Sequence, residues 1–235
     1  MIERIDEEVW TRLTANVARL SAGPSPSLGA LTDKMLHGTT IGAILVEGGQ
    51  KVVVFSDGKV SMGNKPVSLV YRKIMSVDQF TRLLISGSPG ISMEYAAILK
   101  SWIGYSEDTN NRLMTARAKV RALARLLLGG IGLAGAGIVC SPILATYDAL
   151  EKRRARIWSL GFDGSEVEYT DCTADGSGGN VDIFLHERWR PEFTEDEGIR
   201  LAREAIEVKI SHIDSFSGGK VSIDVIGPDG IRLVS

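Results

Sequence analysis

Residues 37–57 read HGTTIGAILVEGGQKVVVFSD. Two runs rich in β-branched and aliphatic residues, TTIGAILV and KVVVFSD, are separated by EGGQ, which predicts two strands joined by a tight turn. Working outward, SLVYRKIM and FTRLLISG predict two more strands. Residues 91–104 and 108–128 then carry helical periodicity. In the second, Arg112, Lys119, Arg121 and Arg125 flank Leu113, Val120, Leu123 and Leu127. Strands are expected near 137–147, 155–160 and 165–170. A helix over 195–212 follows Thr194, with Glu197 completing a capping box. KVSIDVIGPDGIRLVS closes as a hairpin around Pro228-Asp229-Gly230. Strands, then helices, then strands again imply an α+β fold, with antiparallel sheets covered by helices on the outside.

Upstream of residue 37 the texture differs. Residues 4–20 place Ile5, Val9, Trp10, Leu13, Val17 and Leu20 on one helical stripe, and the Pro/Ser/Gly linker SAGPSPSLGA follows. The start, MIERIDEEVWTRL, lacks the basic and apolar regions of a signal peptide. The uncharged stretch 126–147 is long enough to span a membrane. Its five glycines and Pro142 instead predict a helix end, a glycine turn and a buried strand.

The 235 residues include 44% hydrophobic and 24% charged residues, the balance of a globular chain with a sizeable core. The net charge of −2 argues against a general nucleic-acid binder. Two cysteines, Cys140 and Cys172, suggest a reducing compartment, and no Cys/His spacing resembles a zinc site.

The chemistry centres on Gly38-Thr39-Thr40. A threonine hydroxyl is a weak nucleophile unless a base stands beside it. One solution makes the threonine N-terminal, so that its own α-amine, with an ordinary pKa of about 7.7–8.0, is the base. Thr39 is internal, so such an activity is latent until the Gly38–Thr39 bond breaks. Downstream stand Asp57 in SDGKVSMGN, Lys73 in VYRKIM, Gly87 in LLISGSPG, Ser177 in DGSGG, and Asp214 with Ser217 in HIDSFSGG. In this order and combination, the set resembles the β subunits of bacterial and archaeal 20S proteasomes, which are N-terminal-nucleophile hydrolases. The resemblance runs from His37 to Val234. It is free of gaps from Met62 to Gly90, and needs a two-residue insertion around Glu47–Lys51.

The resemblance implies a four-layer αββα sandwich over residues 39–235, with 1–38 as a removable propeptide. It implies a threonine endopeptidase in which Thr39 is the nucleophile, Lys73 assists proton transfer and Asp57 holds Lys73. Gly87 would donate its N–H to the oxyanion, while Ser177, Asp214 and Ser217 would position the freed amine. Val60, Tyr71, Met75, Ile85 and Pro89 would wall an apolar pocket, favouring cleavage after apolar or aromatic residues. No metal or cofactor is implied. The implied partners are a homo-oligomeric β ring of seven, stacked as two rings between α-subunit rings, an ATP-dependent unfoldase as feeder, and unfolded protein as substrate, all in the cytoplasm, with neither membrane nor nucleic acid involved. His37 is read as part of the cleavage junction, and His186 and His212 as surface or satisfied residues.

The chain departs from the family pattern at Gly58, Pro89, Asp175 and Gly179. Two other readings stand beside the main one. A non-catalytic, unprocessed ring subunit would fit the altered 175–179 loop. The simpler two-ring heat-shock threonine protease shares the fold and the nucleophile.

Overall fold

The computed structural model describes residues 36–37, 39–62, 65–176, 179–212 and 217–235. The expected helix at 4–20 and the linker after it lie outside these residues.

Two five-stranded antiparallel sheets face each other. The first has the order β11-β2-β3-β12-β13, from β11 (Cys172–Gly176), β2 (Thr40–Val46), β3 (Lys51–Ser56), β12 (Ser222–Gly227) and β13 (Gly230–Leu233). The second runs β10-β9-β8-β7-β6, from β10 (Glu166–Tyr169), β9 (Arg154–Leu160), β8 (Ile143–Asp148), β7 (Thr81–Leu84) and β6 (Ile74–Asp78). A small third sheet joins β1 (Leu36–His37), β4 (Val60–Met62) and β5 (Lys65–Ser68).

The strand sequences explain the layering. In β2, Ile41, Ala43 and Leu45 point into the space between the sheets, while Ile44 and Val46 point the other way. β3 repeats this: Val52 and Val54 face inward, Val53 and Phe55 outward. A strand buried on both faces reads as a continuous apolar run, which is what 41–46 and 52–55 are. The inward residues meet Ile143, Ala145, Ala155 and Ile157 of the opposite sheet. The outward residues pack beneath α3 (Gly179–Arg188) and α4 (Glu195–His212), through Val181, Leu185, Ala202 and Ile206. On the second sheet, Leu83, Leu144 and Trp158 pack beneath α1 (Pro89–Asn110) and α2 (Ala116–Gly129), against Leu99, Ile103, Leu123 and Leu127. Each such aliphatic side chain contributes about 1.5–3 kcal/mol on burial. The result is the four-layer αββα sandwich of the N-terminal-nucleophile hydrolases.

Several local expectations match. Thr194 and Glu197 form the reciprocal capping box, with Thr194 N–H donating to Glu197 Oε2 at 2.8 Å and Glu197 N–H to Thr194 Oγ1 at 3.3 Å. The C-terminal hairpin pairs Gly227 with Gly230. Among the described residues, no helix is long and apolar enough to cross a membrane.

Other boundaries differ for identifiable reasons. The helix expected over 108–128 is interrupted, because Asn111 adopts a left-handed conformation (φ +48°) that ends α1 and Thr115 starts α2 by accepting from Ala118 N–H. SLVYRKIM does not form one strand: β5 stops at Ser68 and β6 starts at Ile74. Between them the backbone turns to bond elsewhere, Tyr71 N–H to Gly58 O at 2.9 Å and Lys220 N–H to Leu69 O at 2.7 Å. Part of SDGKVSMGN is strand, since Val60–Met62 pairs with both β1 and β5. The strand expected at 137–147 begins only at Ile143; before it, Cys140 makes a single isolated bridge with Gly87, with Val139 and Ser141 bonded to Ser88 and Ser86. α3 was not anticipated: its glycine start and weak apolar periodicity hide it.

Candidate active site

Thr39 immediately precedes β2 and is buried. The chain before it is also held: Leu36 pairs with Met62 and His37 with Ser61, so β1 adds to the β4–β5 hairpin. The site is built where this entry into β2 meets the end of β3, the start of β6 and the approach to β12.

Asp57 stands at its centre, with no exposed surface. It follows β3, and its own N–H donates to Thr40 O at 3.0 Å, extending the β2–β3 pairing. Its Oδ1 accepts from Lys73 Nζ at 2.6 Å and from Thr40 N–H at 2.7 Å. Its Oδ2 accepts from Gly218 N–H at 2.9 Å and Lys59 N–H at 3.3 Å. A carboxylate offers about four lone-pair sites, and here four donors occupy them. Lys73 is 2% exposed. Two opposite charges this deeply buried are tolerable only together and with their remaining hydrogen-bonding capacity met.

The neighbours of Lys73 fix its direction. Arg72 bonds Asp224 Oδ1 of β12 at 2.5 Å, while Lys73 turns to Asp57. Ile85 N–H donates to Lys73 O at 3.0 Å, tying the residue that leads into β6 to the segment that leads to Gly87.

Ser217 contacts Thr40: the two hydroxyls are 2.8 Å apart. Gly58 N–H donates to Gly218 O at 3.0 Å, so residues 57–58 and 217–218 clasp each other. A Cβ at Gly58 would meet Lys220 O at 2.6 Å and Leu69 O at 2.7 Å, which explains why this chain has glycine there. Asp175 pairs with Ile41, and Gly176 with Thr40 (φ +117°), where a Cβ would sit 2.0 Å from Thr39 O.

Gly87 has φ +97°, and a Cβ there would lie 2.3 Å from Val139 O. It forms an isolated antiparallel bridge with Cys140, flanked by Ser88 N–H to Val139 O at 2.8 Å and Ser141 N–H to Ser86 O at 3.1 Å. In such a bridge the flanking residues make the bonds, and the Gly87 N–H is turned away from residues 139–141. Cys140 is buried, and desolvation pushes its thiol up to about 12; it packs under this segment, its Sγ accepting from Ser92 Oγ at 3.1 Å.

Of the apolar residues named from sequence, Ile85 belongs to the cluster beneath α1, with Tyr71 and Met75 packed against it. Pro89 opens α1 as its first residue, where a proline costs no hydrogen bond. Val60 is buried in β4. Tyr71 Oη donates to Met93 Sδ at 3.0 Å, and burial raises the pKa of this phenol. Met93, Thr40 and Gly176 are neighbours to which the sequence reading gave no role. The signal for Thr40 was present in the repeated threonine, whereas Met93 is visible only once α1 is placed. Gly38, Ser177 and Asp214 lie outside the described residues.

A separate cavity of about 150 Å³ lies towards the other end of β2, lined by Leu45, Arg154, Arg156, Tyr169 and Trp189, and holds none of these residues.

Comparison with known proteins identifies the family. A family model described as proteasome subunit matches residues 35–226. The chain is 29% identical over 210 residues to proteasome subunit beta of Acidimicrobium ferrooxidans, covering 89% of this chain and 72% of that protein. It is 26% identical over 187 residues to proteasome subunit beta of Streptomyces griseus, covering 78% and 64%. It is 29% identical over 151 residues to proteasome subunit beta 1 of Streptomyces avermitilis, covering 63% and 52%. The matched stretch thus spans from about half to under three quarters of these relatives' own length.

Proposed function

Because the chain belongs to the proteasome subunit family, we propose that it is a catalytic β subunit: a threonine endopeptidase that becomes active when the Gly38–Thr39 bond is cut. The observation that carries this reading is the buried Asp57–Lys73 pair beside the entry to β2, with a glycine N–H at Gly87 turned outward from its own bridge.

In the uncut chain the nitrogen of Thr39 is an amide and cannot serve as base. Attack of Thr39 Oγ on the Gly38 carbonyl exchanges that amide for an ester, which water hydrolyses, leaving a free α-amine on Thr39. That amine then accepts the hydroxyl proton as Oγ attacks a substrate carbonyl. Lys73, held by Asp57, favours the deprotonated oxygen through its charge. The Gly87 N–H donates to the developing oxyanion, a contact worth about 2.7–4 kcal/mol of barrier. Collapse breaks the peptide bond, the leaving amine takes the proton from the ammonium, and an ester remains on Thr39. Water, with the same amine as base, releases the second product. Ser177, Asp214 and Ser217 hold the amine in place, and Tyr71, Met75, Ile85, Val60 and Pro89 bias the site towards apolar residues before the cut. No metal or cofactor enters this chemistry.

The assembly proposed with it is a ring of this subunit, seven-membered and stacked in pairs, closed by α-subunit rings and fed by an ATP-dependent unfoldase in the cytoplasm. Enclosure is the physical complement of a nonspecific peptidase, since folded proteins cannot enter. One observation favours the second reading, an unprocessed structural subunit: Leu36–His37 is already a paired strand of the β4–β5 hairpin, a stable resting place for an uncut segment.

A β-lactone probe tests the enzyme reading. Acyl transfer should leave its mass on the peptide beginning at Thr39. An adduct on another residue, or none in the assembled particle, contradicts it.

A further inference from the structure

The sequence offers no zinc-like spacing, yet the fold gathers Asp171, Cys172 and His186 at the outer edge of the first sheet, well away in sequence from Thr39. One ligand atom from each lies within 4.8 Å of the others. Cys172 opens β11 and has no exposed surface, its side chain lying among Val181 and Leu185 of α3. Asp171 is anchored by its backbone, whose carbonyl accepts from Leu45 N–H of β2 at 2.8 Å. His186 lies near the end of α3, with Nε2 3.5 Å from Asp171 Oδ2.

The ring of His186 is oriented as a ligand's would be. Its Nδ1 lies 2.8 Å from the Asp182 backbone carbonyl, one turn back. A carbonyl only accepts, so Nδ1 must carry a proton, which leaves the lone pair of the neutral ring on Nε2, facing Asp171. A backbone carbonyl on the far nitrogen is the usual support of a metal-bound imidazole. Asp182 is itself braced, accepting from Ala174 N–H at 2.9 Å.

We propose that Asp171, Cys172 and His186 bind a single Zn(II)-type ion, with thiolate, imidazole and carboxylate as protein ligands and water completing a tetrahedron. This donor set suits Zn(II), whereas harder cations prefer oxygen alone. Binding exchanges the thiol proton of Cys172 for the metal, releasing H⁺ and forming the S–Zn bond without any change of oxidation state. Ligand atoms in such a tetrahedron stand roughly 3.3–3.8 Å apart, given bond lengths near 2.0–2.3 Å. The half-exposed His186 and Asp171 need to close in by about an ångström. The ion would clip β11 to α3, and so fix both ends of the segment that contains Ser177.

Co(II) titration of the full-length, chelator-treated chain tests this. The expected result is one equivalent bound, with visible ligand-field bands and a near-ultraviolet thiolate-to-cobalt band, both displaced by Zn(II). Cys172→Ser abolishes the thiolate band, Cys140→Ser retains it, and His186→Gln, on the helix flank, weakens uptake by about tenfold or more. Absence of stoichiometric uptake by the wild-type chain, survival of the band in Cys172→Ser, or unchanged affinity in His186→Gln overturns the proposal.

Discussion

Lys73 Nζ and Asp57 Oδ1 are 2.6 Å apart, in a place where neither side chain reaches solvent. The two partners are not equivalent. Asp57 has three backbone N–H groups to fall back on, from Thr40, Lys59 and Gly218. Asp57→Asn deprives a buried ammonium of its counter-charge and also turns an amide NH₂ towards backbone donors. Lys73→Met leaves a carboxylate that still has donors. Asp57→Asn should therefore cost about 3–5 kcal/mol and Lys73→Met clearly less, measured by urea unfolding. Both should lose peptidase activity. Equal destabilisation would show that the backbone donors do not support the carboxylate.

Gly87 is constrained twice, by φ +97° and by a Cβ position 2.3 Å from Val139 O. Gly87→Ala must displace the 86–88 segment, and with it the N–H assigned to the oxyanion. The expected outcome is a fall in kcat of about 10²–10³, with KM changing far less. A rise in KM alone would assign Gly87 to substrate binding instead.

Met75 is partly buried against the apolar cluster that holds Ile85 and accepts Tyr71. A peptide library should show wild-type cleavage after apolar or aromatic residues, and Met75→Glu should shift preference towards lysine or arginine. A wild-type profile dominated by charged residues before the cut would contradict the assigned pocket.

Much of this architecture was legible beforehand. The apolar runs 41–46 and 52–55 predicted paired strands, and Thr194 with Glu197 fixed the start of α4. What escaped depended on distance in sequence. The donors to Asp57 come from residues 40, 59, 73 and 218, and no local pattern announces that three of them are backbone N–H groups. The break at 111–115 turned on a single left-handed asparagine inside a helical pattern. The Asp171, Cys172 and His186 cluster arises because α3, itself unanticipated, lies over β11.

Glu195 gives a pH dependence of stability. Partial burial acts to raise its pKa, but hydrogen bonds and charge from Lys51 and Arg232 prevail and hold it below its ordinary value of 4.5. A carboxyl with a depressed folded pKa binds protons more readily when unfolded. Its stabilising contribution is thus fully present above about pH 4.5, and is lost as pH falls through the lower folded value. Lys51→Met should reduce stability near neutrality and flatten the acid limb of the stability profile. An unchanged acid limb would mean that Arg232 alone holds the carboxylate.

The central claim is that Thr39 becomes the first residue of the working subunit. Intact-mass measurement after co-expression with candidate α-type subunits tests it most directly. The account predicts a chain beginning at Thr39 for the wild type, and a chain retaining residues 1–38 for Thr39→Ala. A wild-type subunit that retains residues 1–38 in the assembled particle would contradict it.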